Sequence, residues 1–158
     1  MKIDLFCPSR ERINKVLTFI CSIITTAKDI NNINLVLGID DDDPKLDHYL
    51  KIAQNLDFIQ VVRYPEGLIE EIGLCGLWNV MAEQTTNEII AMVGDDMKFE
   101  TPDWDEKILK EFSNKEDNFY LIHCNDGMRG PGNKYANVPP LAVNSFIHRY
   151  FFFIIYIS

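Results

Sequence analysis

The chain has 158 residues, 47% of them apolar, which suits one globular domain with its own core and excludes a disordered chain. A formal net charge of -9 excludes broad contact with a nucleic-acid backbone, which calls for a basic face, but leaves room for a small phosphorylated ligand. The four cysteines, Cys7, Cys21, Cys75 and Cys124, stand far apart without a C-x-x-C, so they read as buried thiols in a reducing compartment rather than a zinc site or disulfide framework.

The first apolar run, Ile3 to Cys7, is short and holds Asp4, so it lacks the pattern of a secretory leader, and a cytoplasmic protein is expected. KIDLFC reads as a strand, and Pro8-Ser9 as a turn with Ser9 placed to cap a helix. Ile13, Val16, Leu17, Ile20, Ile23 and Ile24 then follow at helical spacing to about Ala27. INLVLGI is a second strand that runs into Asp40, Asp41, Asp42 and Asp43; Pro44 opens a helix with Leu46, Leu50 and Ala53 on its inner side. FIQVVRY is a third strand, Leu74 to Ala82 a helix, and EIIAMV a fourth strand ending at Gly94. PDWDEKILKEF is a further helix, NFYLIHC a further strand, and NDGMRGPGNKYANVPP a loop rich in glycine and proline. The apolar stretch Phe151 to Ile157 is far shorter than the roughly 20 residues of a membrane helix, so a core element and no membrane span is expected there.

Alternation of strand and helix predicts an α/β sandwich with a mostly parallel central sheet, and ligands of such sheets bind beyond the carboxyl ends of the strands. Three strands end in chemically loaded residues: Pro8-Ser9-Arg10, Asp40-Asp41 and Asp95-Asp96. In parallel strands these groups share one edge. Two adjacent carboxylates repel each other out of water, so Asp95 and Asp96 either lie in a solvated turn or are held by something positive. Magnesium and manganese use one or two carboxylates together with substrate phosphates and water, which fits the pair. The run DDDDP reads as solvated charge or as acidic residues at a helix N-terminus.

The whole pattern resembles the nucleotide-sugar glycosyltransferases of the GT-A fold, in particular small family 2-like enzymes of phage and bacterial genomes. FCPSRER is similar to the family's opening strand and turn, and VLGIDDDDP to its second strand with a base-binding aspartate. GLCGLWNVMAEQTTNEIIAMVGDDMKFETPDWDEKI resembles its helix, strand and metal motif, followed by the proline and tryptophan that open the next helix. The resemblance implies a Rossmann-like three-layer sandwich and transfer of a sugar from a nucleoside-diphosphate sugar, with UDP favoured, to an acceptor the sequence does not name. It implies that Pro8, Ser9 and Arg10 line the nucleotide pocket and that Asp40, or Asp41 in its place, accepts from the base. Asp95 falls on the second carboxylate of the D-x-D motif, with Asp96 beside it, so the pair would hold Mn2+ or Mg2+; Val93 stands where the first carboxylate would be.

In the family a carboxylate beyond the metal motif takes the proton of the acceptor hydroxyl. Asp126 is the candidate here, against its reading as an ordinary Asp-Gly turn. The family's segment carrying the base and a metal-proximal histidine would lie past Ser158, so a single domain over residues 1–158 with an incomplete acceptor end is expected, and with it weak transfer. His48, His123 and His148 show no ligand spacing and read as structural, and Trp78 and Trp104 as core residues. Two rivals stand beside this reading: a nucleotide-sugar-binding protein without activity, and a polymerase palm, in which Gly-Asp-Asp sits in a strand hairpin.

Overall fold

The computed structural model describes residues 1–113 and, as strand backbone only, residues 121–122 and 154–156. Asp126, His123, His148, Cys124 and the glycine- and proline-rich loop lie outside the described residues. The order is β1 (Ile3–Pro8), α1 (Ile13–Thr26), a 3-10 turn (Ile30–Asn32), β2 (Ile33–Asp40), α2 (Leu46–Asn55), β3 (Ile59–Tyr64), α3 (Leu68–Ala82), β4 (Ile89–Met92), α4 (Trp104–Ser113), β5 (Leu121–Ile122) and β6 (Ile154–Tyr156). The strands form one sheet in the order β3-β2-β1-β4-β6-β5. β1 to β4 are all parallel, with Ile3 beside Ile33 on one flank and Ile89 on the other, and β6 pairs antiparallel to both β4 and β5.

Side-chain alternation along the strands divides the core in two. Ile3, Leu5 and Cys7 of β1 and Leu35, Leu37 and Ile39 of β2 face α1, α2 and α4, which contribute Val16, Phe19, Ile20, Ile23, Tyr49, Trp104 and Ile108. Phe6, Val36, Tyr64 and Ile90 face the other way, onto Leu77 and Met81 of α3. The result is the expected three-layer sandwich. Its chain path moves outward from β1 through β2 to β3 and then returns across the sheet to β4. The strand order therefore reverses between β1 and β4, where open α/β sheets leave a crevice.

Several local expectations change in detail. Ser9 does not cap α1: the helix starts after Arg12, which makes no side-chain cap bond, and the Ser9 hydroxyl is used elsewhere. Leu17 and Ile24 face solvent, while Phe19 and Ser22 share the buried face of α1. In α2 the fully buried residue is Tyr49, one turn after Leu46. α3 begins six residues before Leu74 but is broken at Gly73, whose φ of 68 is a left-handed conformation natural to glycine, so the predicted start marks the second half of a kinked helix. Among the described residues no helix is long and apolar enough to cross a membrane.

A buried carboxylate ties α4 to the α1–β2 connection. Asp105, fully buried, accepts from the backbone N–H groups of Lys28 and Asp29 and from Asn32 Nδ2 at 2.7, 3.1 and 2.9 Å. Burial pushes its pKa up, but the bonds from Asn32, Lys28, Asp29 and the backbone of Glu106 outweigh that, so the folded pKa lies below the ordinary value. Asp105→Ala leaves two backbone donors without their acceptor and is expected to cost about 1–3 kcal/mol near neutral pH. A depressed carboxylate pKa contributes stability above the unfolded value of about 3.9 and loses it as pH falls through the folded value. The gap between parent and variant in urea denaturation should therefore narrow at acid pH; a gap independent of pH would refute the ionised role.

Candidate functional site

The carboxyl ends of β1, β2 and β4 meet at the crevice because the ladder continues past the strands. Ser9 N–H donates to Gly38 O at 3.0 Å and Val93 N–H to Phe6 O at 2.9 Å. A cavity of about 730 Å3 opens there, lined by Pro8 to Arg12, Gly38, Asp40 and Val93 to Met97 on the sheet side and by Ile69, Leu74, Leu77 and Trp78 of α3. Tyr64 forms part of its wall, and its ring crosses Gly38 so closely that a Cβ there would lie 2.5 Å from Cε2. Burial, with the charge of Asp40 behind it, raises the Tyr64 pKa and keeps the phenol neutral.

The two adjacent carboxylates differ. Gly94 to Met97 forms a turn closed by Met97 N–H on Gly94 O at 3.3 Å, with Asp95 and Asp96 as its central residues. Asp95 points inward, 4% exposed, and accepts from Ser9 Oγ at 2.7 Å and Arg12 Nη1 at 3.1 Å. Asp96 faces the solvent side, with Lys15 Nζ 3.8 Å away. A Cβ on Gly94 would sit 3.0 Å from Asp96 Oδ1, so a side chain there would crowd the carboxylate. One member of the pair is thus held by a cation in a buried position and the other is loosely held. Close by, burial and then the charges of Asp95 and Asp96 push the Cys7 thiol well up, leaving it a neutral core group.

The acidic run after β2 is similarly divided. Arg10 forms a two-pronged bond to Asp42, Nη1 to Oδ1 at 2.6 Å and Nη2 to Oδ2 at 2.8 Å, and reaches buried Asp40 at 3.0 Å. The paired guanidinium lowers the Asp42 pKa, and the bonds raise that of Arg10. Asp43 caps two backbones, accepting from Glu11 N–H at 2.8 Å and Lys45 N–H at 2.7 Å. Glu11 is held at a positive φ of 58, a strained conformation for a residue with a Cβ, within the loop that lines the cavity. Asp41 turns away to Arg63 at 2.6 Å and does not line the cavity.

Of the residues singled out in the sequence, Pro8, Ser9, Arg10, Asp40, Asp95 and Asp96 are brought to one cavity. Arg12, Lys15, Tyr49 and Tyr64 were not foreseen. Tyr49 lies beneath the loop, with its hydroxyl 3.4 Å from Ser9 Oγ and accepting from Arg12 N–H at 3.1 Å. Arg12 carries a sequence signal in S-R-E-R, a second arginine two residues after the first. Tyr49 and Tyr64 carry none, because a buried tyrosine on a helix or strand reads as core. Trp104 is core as expected; Trp78 is half-buried and joins the cavity wall.

No protein-family model matches the chain, and no curated protein sequence matches it. Among solved structures it is similar to residues 1–349 of TarS from S. aureus, with a TM-score of 0.62 and 14% identity over 84% of this chain and 38% of that one. The same region of TarS in complex with UDP-GlcNAc matches with a TM-score of 0.62 and 14% identity over 79% of this chain and 35% of that one. The mannosyltransferase PcManGT from Pyrobaculum calidifontis, in complex with GDP-Man and Mn2+, matches with a TM-score of 0.62 and 12% identity, again over 79% and 35%. The fold is thus the GT-A α/β sandwich, and the chain spans little more than a third of the length of these neighbours.

Proposed function

We propose that the chain is the donor-binding part of a glycosyltransferase that takes a nucleoside-diphosphate sugar, with UDP favoured, and that it uses a divalent cation. The observation that carries this reading is the convergence of Ser9, Arg10, Arg12, Asp40, Asp95 and Asp96 on one cavity at the point where the strand order reverses. The neighbours' complexes with UDP-GlcNAc and with GDP-Man and Mn2+ support it. Asp40, fixed by Arg10, accepts from the base, and the apolar side of the cavity beneath α3 covers the ring. The diphosphate is directed to Ser9 and the turn at Asp95.

The residues present fit a divalent cation of the magnesium class. Among the described residues no three ligand side chains converge to hold one by themselves. Two carboxylates completed by phosphate oxygens and water are nevertheless an ordinary set for such ions, and the Asp96 side chain is open to solvent. Asp95 and Asp96 would hold the ion, which supplies Lewis-acid stabilisation of the departing diphosphate. The carboxylates that line the cavity among the described residues already lie against partners: Glu11 and Asp40 on Arg10, Asp95 on Ser9 and Arg12, Asp96 near Lys15. Asp126, outside the described residues, stays the candidate base for an acceptor hydroxyl, beside its reading as an Asp-Gly turn.

The palm reading is disfavoured by the place of the Gly-Asp-Asp turn: it follows β4, a strand parallel to its neighbour β1, and leads to α4 rather than into a hairpin. UDP with Mn2+ is expected to raise the melting temperature, since ligand at a hundred times its Kd adds about 2.7 kcal/mol. No shift with any nucleoside diphosphate, with or without metal, would refute a donor site. Release of sugar from a panel of nucleotide sugars then separates a transferase from a binder.

A further inference from the structure

We infer that Arg12 is an exchangeable counter-cation: it occupies the Asp95 carboxylate until a divalent cation arrives, then moves to the phosphates of the nucleotide. The inference rests on the proposed donor site and adds to it a coupling between metal and nucleotide.

The two arginines of the loop are held differently. Arg10 is locked by two prongs on Asp42 and a third bond to Asp40. Arg12 touches Asp95 through Nη1 alone, and its side chain is 55% exposed. One prong from a half-exposed guanidinium holds it less firmly than the fork that locks Arg10. Its backbone does not need to move, because Arg12 N–H is anchored on the buried Tyr49 hydroxyl. The residue also lines the cavity, so the guanidinium swings within the space where a diphosphate would lie. A guanidinium matches phosphate oxygens with the same planar fork that it offers a carboxylate.

Asp95 constrains how this exchange occurs. Its side chain is 5% exposed, and a buried carboxylate stripped of its cation is strongly unfavourable. The guanidinium therefore leaves only as another cation enters. Lys15, 3.8 Å from Asp96, screens the second carboxylate in the same way from the first turn of α1. A metal ion alone must displace Arg12 and give it no new partner, while a diphosphate alone meets two carboxylates. Together each supplies what the other lacks. The two ligands are then positively coupled, and such coupling is reciprocal.

Mn2+ and UDP are titrated, each alone and in the presence of the other, by calorimetry on the parent, Arg12→Gln, Arg12→Lys and Lys15→Gln. In the parent, UDP is expected to tighten Mn2+ binding about tenfold, within the usual span of coupling. Arg12→Gln should bind Mn2+ alone about tenfold tighter and UDP more weakly, with the coupling nearly gone. Arg12→Lys should recover part of the coupling, because it keeps the charge and loses the fork. Lys15→Gln should shift Mn2+ binding in the same direction by less, and it keeps the test open should Arg12→Gln fold poorly. Arg12→Gln and Lys15→Gln variants that weaken Mn2+ and UDP alike, or change neither, overturn the exchange while leaving the donor site standing. A parent that binds no UDP under either condition overturns both.

Discussion

Asp95→Asn is expected to abolish the part of the nucleotide-induced stabilisation that depends on Mn2+, out of a total of about 2.7 kcal/mol at a hundredfold excess over Kd. Asparagine keeps an oxygen for Ser9 Oγ to donate to, 2.7 Å away in the parent, so the loop between β1 and α1 retains its tie to the turn after β4. What is lost is charge. A cation bound by so few protein oxygens cannot spare one carboxylate. UDP without metal should bind somewhat more tightly, because the same change removes a charge that repels the diphosphate and releases Arg12 from its partner. Asp96→Asn should cost less, since Asp96 is the more exposed of the two and has only a distant lysine. Melting curves with UDP, with and without Mn2+, separate these terms. If both variants shift as the parent does, the pair is a structural turn and no metal site.

Trp104→Ala should have the largest effect on folding, about 3–5 kcal/mol, the range for truncating a buried tryptophan. The indole is fully buried and stacks on Phe99 with ring centroids 3.9 Å apart and planes at 14°. Phe99 stacks in turn on Phe19 of α1 at 5.8 Å, so the three rings join α4 to α1 across the segment that follows the Asp95 turn. Trp104→Phe keeps a stacking ring and should lose distinctly less, because it removes volume without opening a cavity the size of an indole. Urea denaturation of both variants measures this. Equal losses would mean that the site needs the whole indole and that a smaller stacking ring recovers nothing.

The alternation of elements was legible because each buried strand of the parallel sheet is a short apolar run ending in a polar cluster, as INLVLGID does. The site was legible to the same extent, since parallel strands bring Ser9, Asp40 and Asp95 to one edge whatever their spacing in the chain. Pairing was not legible. That Arg10 grips Asp42 and Asp40 while Asp41 turns to Arg63 depends on how the turn after β2 twists, and four consecutive aspartates give no means of ranking them. The inward position of Asp95 was hidden for a related reason: a Gly-Asp-Asp turn looks solvated until the partners arriving from β1 and α1 are known. The break in α3 lay in plain view as Gly73, yet glycine also occurs in unbroken helices, and only its left-handed φ distinguishes the two.

The central place of β1 has a consequence for how the protein is made. Ile3 pairs with Ile33 on one flank and with Ile89 on the other, so β1 gains its second neighbour only after most of the described chain has followed it. Until then the nascent sheet β1-β2-β3 carries an unpaired edge with the apolar sequence of an interior strand, the kind of edge that recruits other chains. The edge that later brings Ser9 against Asp95 is thus an interior one left open while β4 is awaited. Yield of soluble protein should therefore depend more on the pace of translation between β3 and β4, and on chaperones acting in that interval, than on the stability of the finished fold.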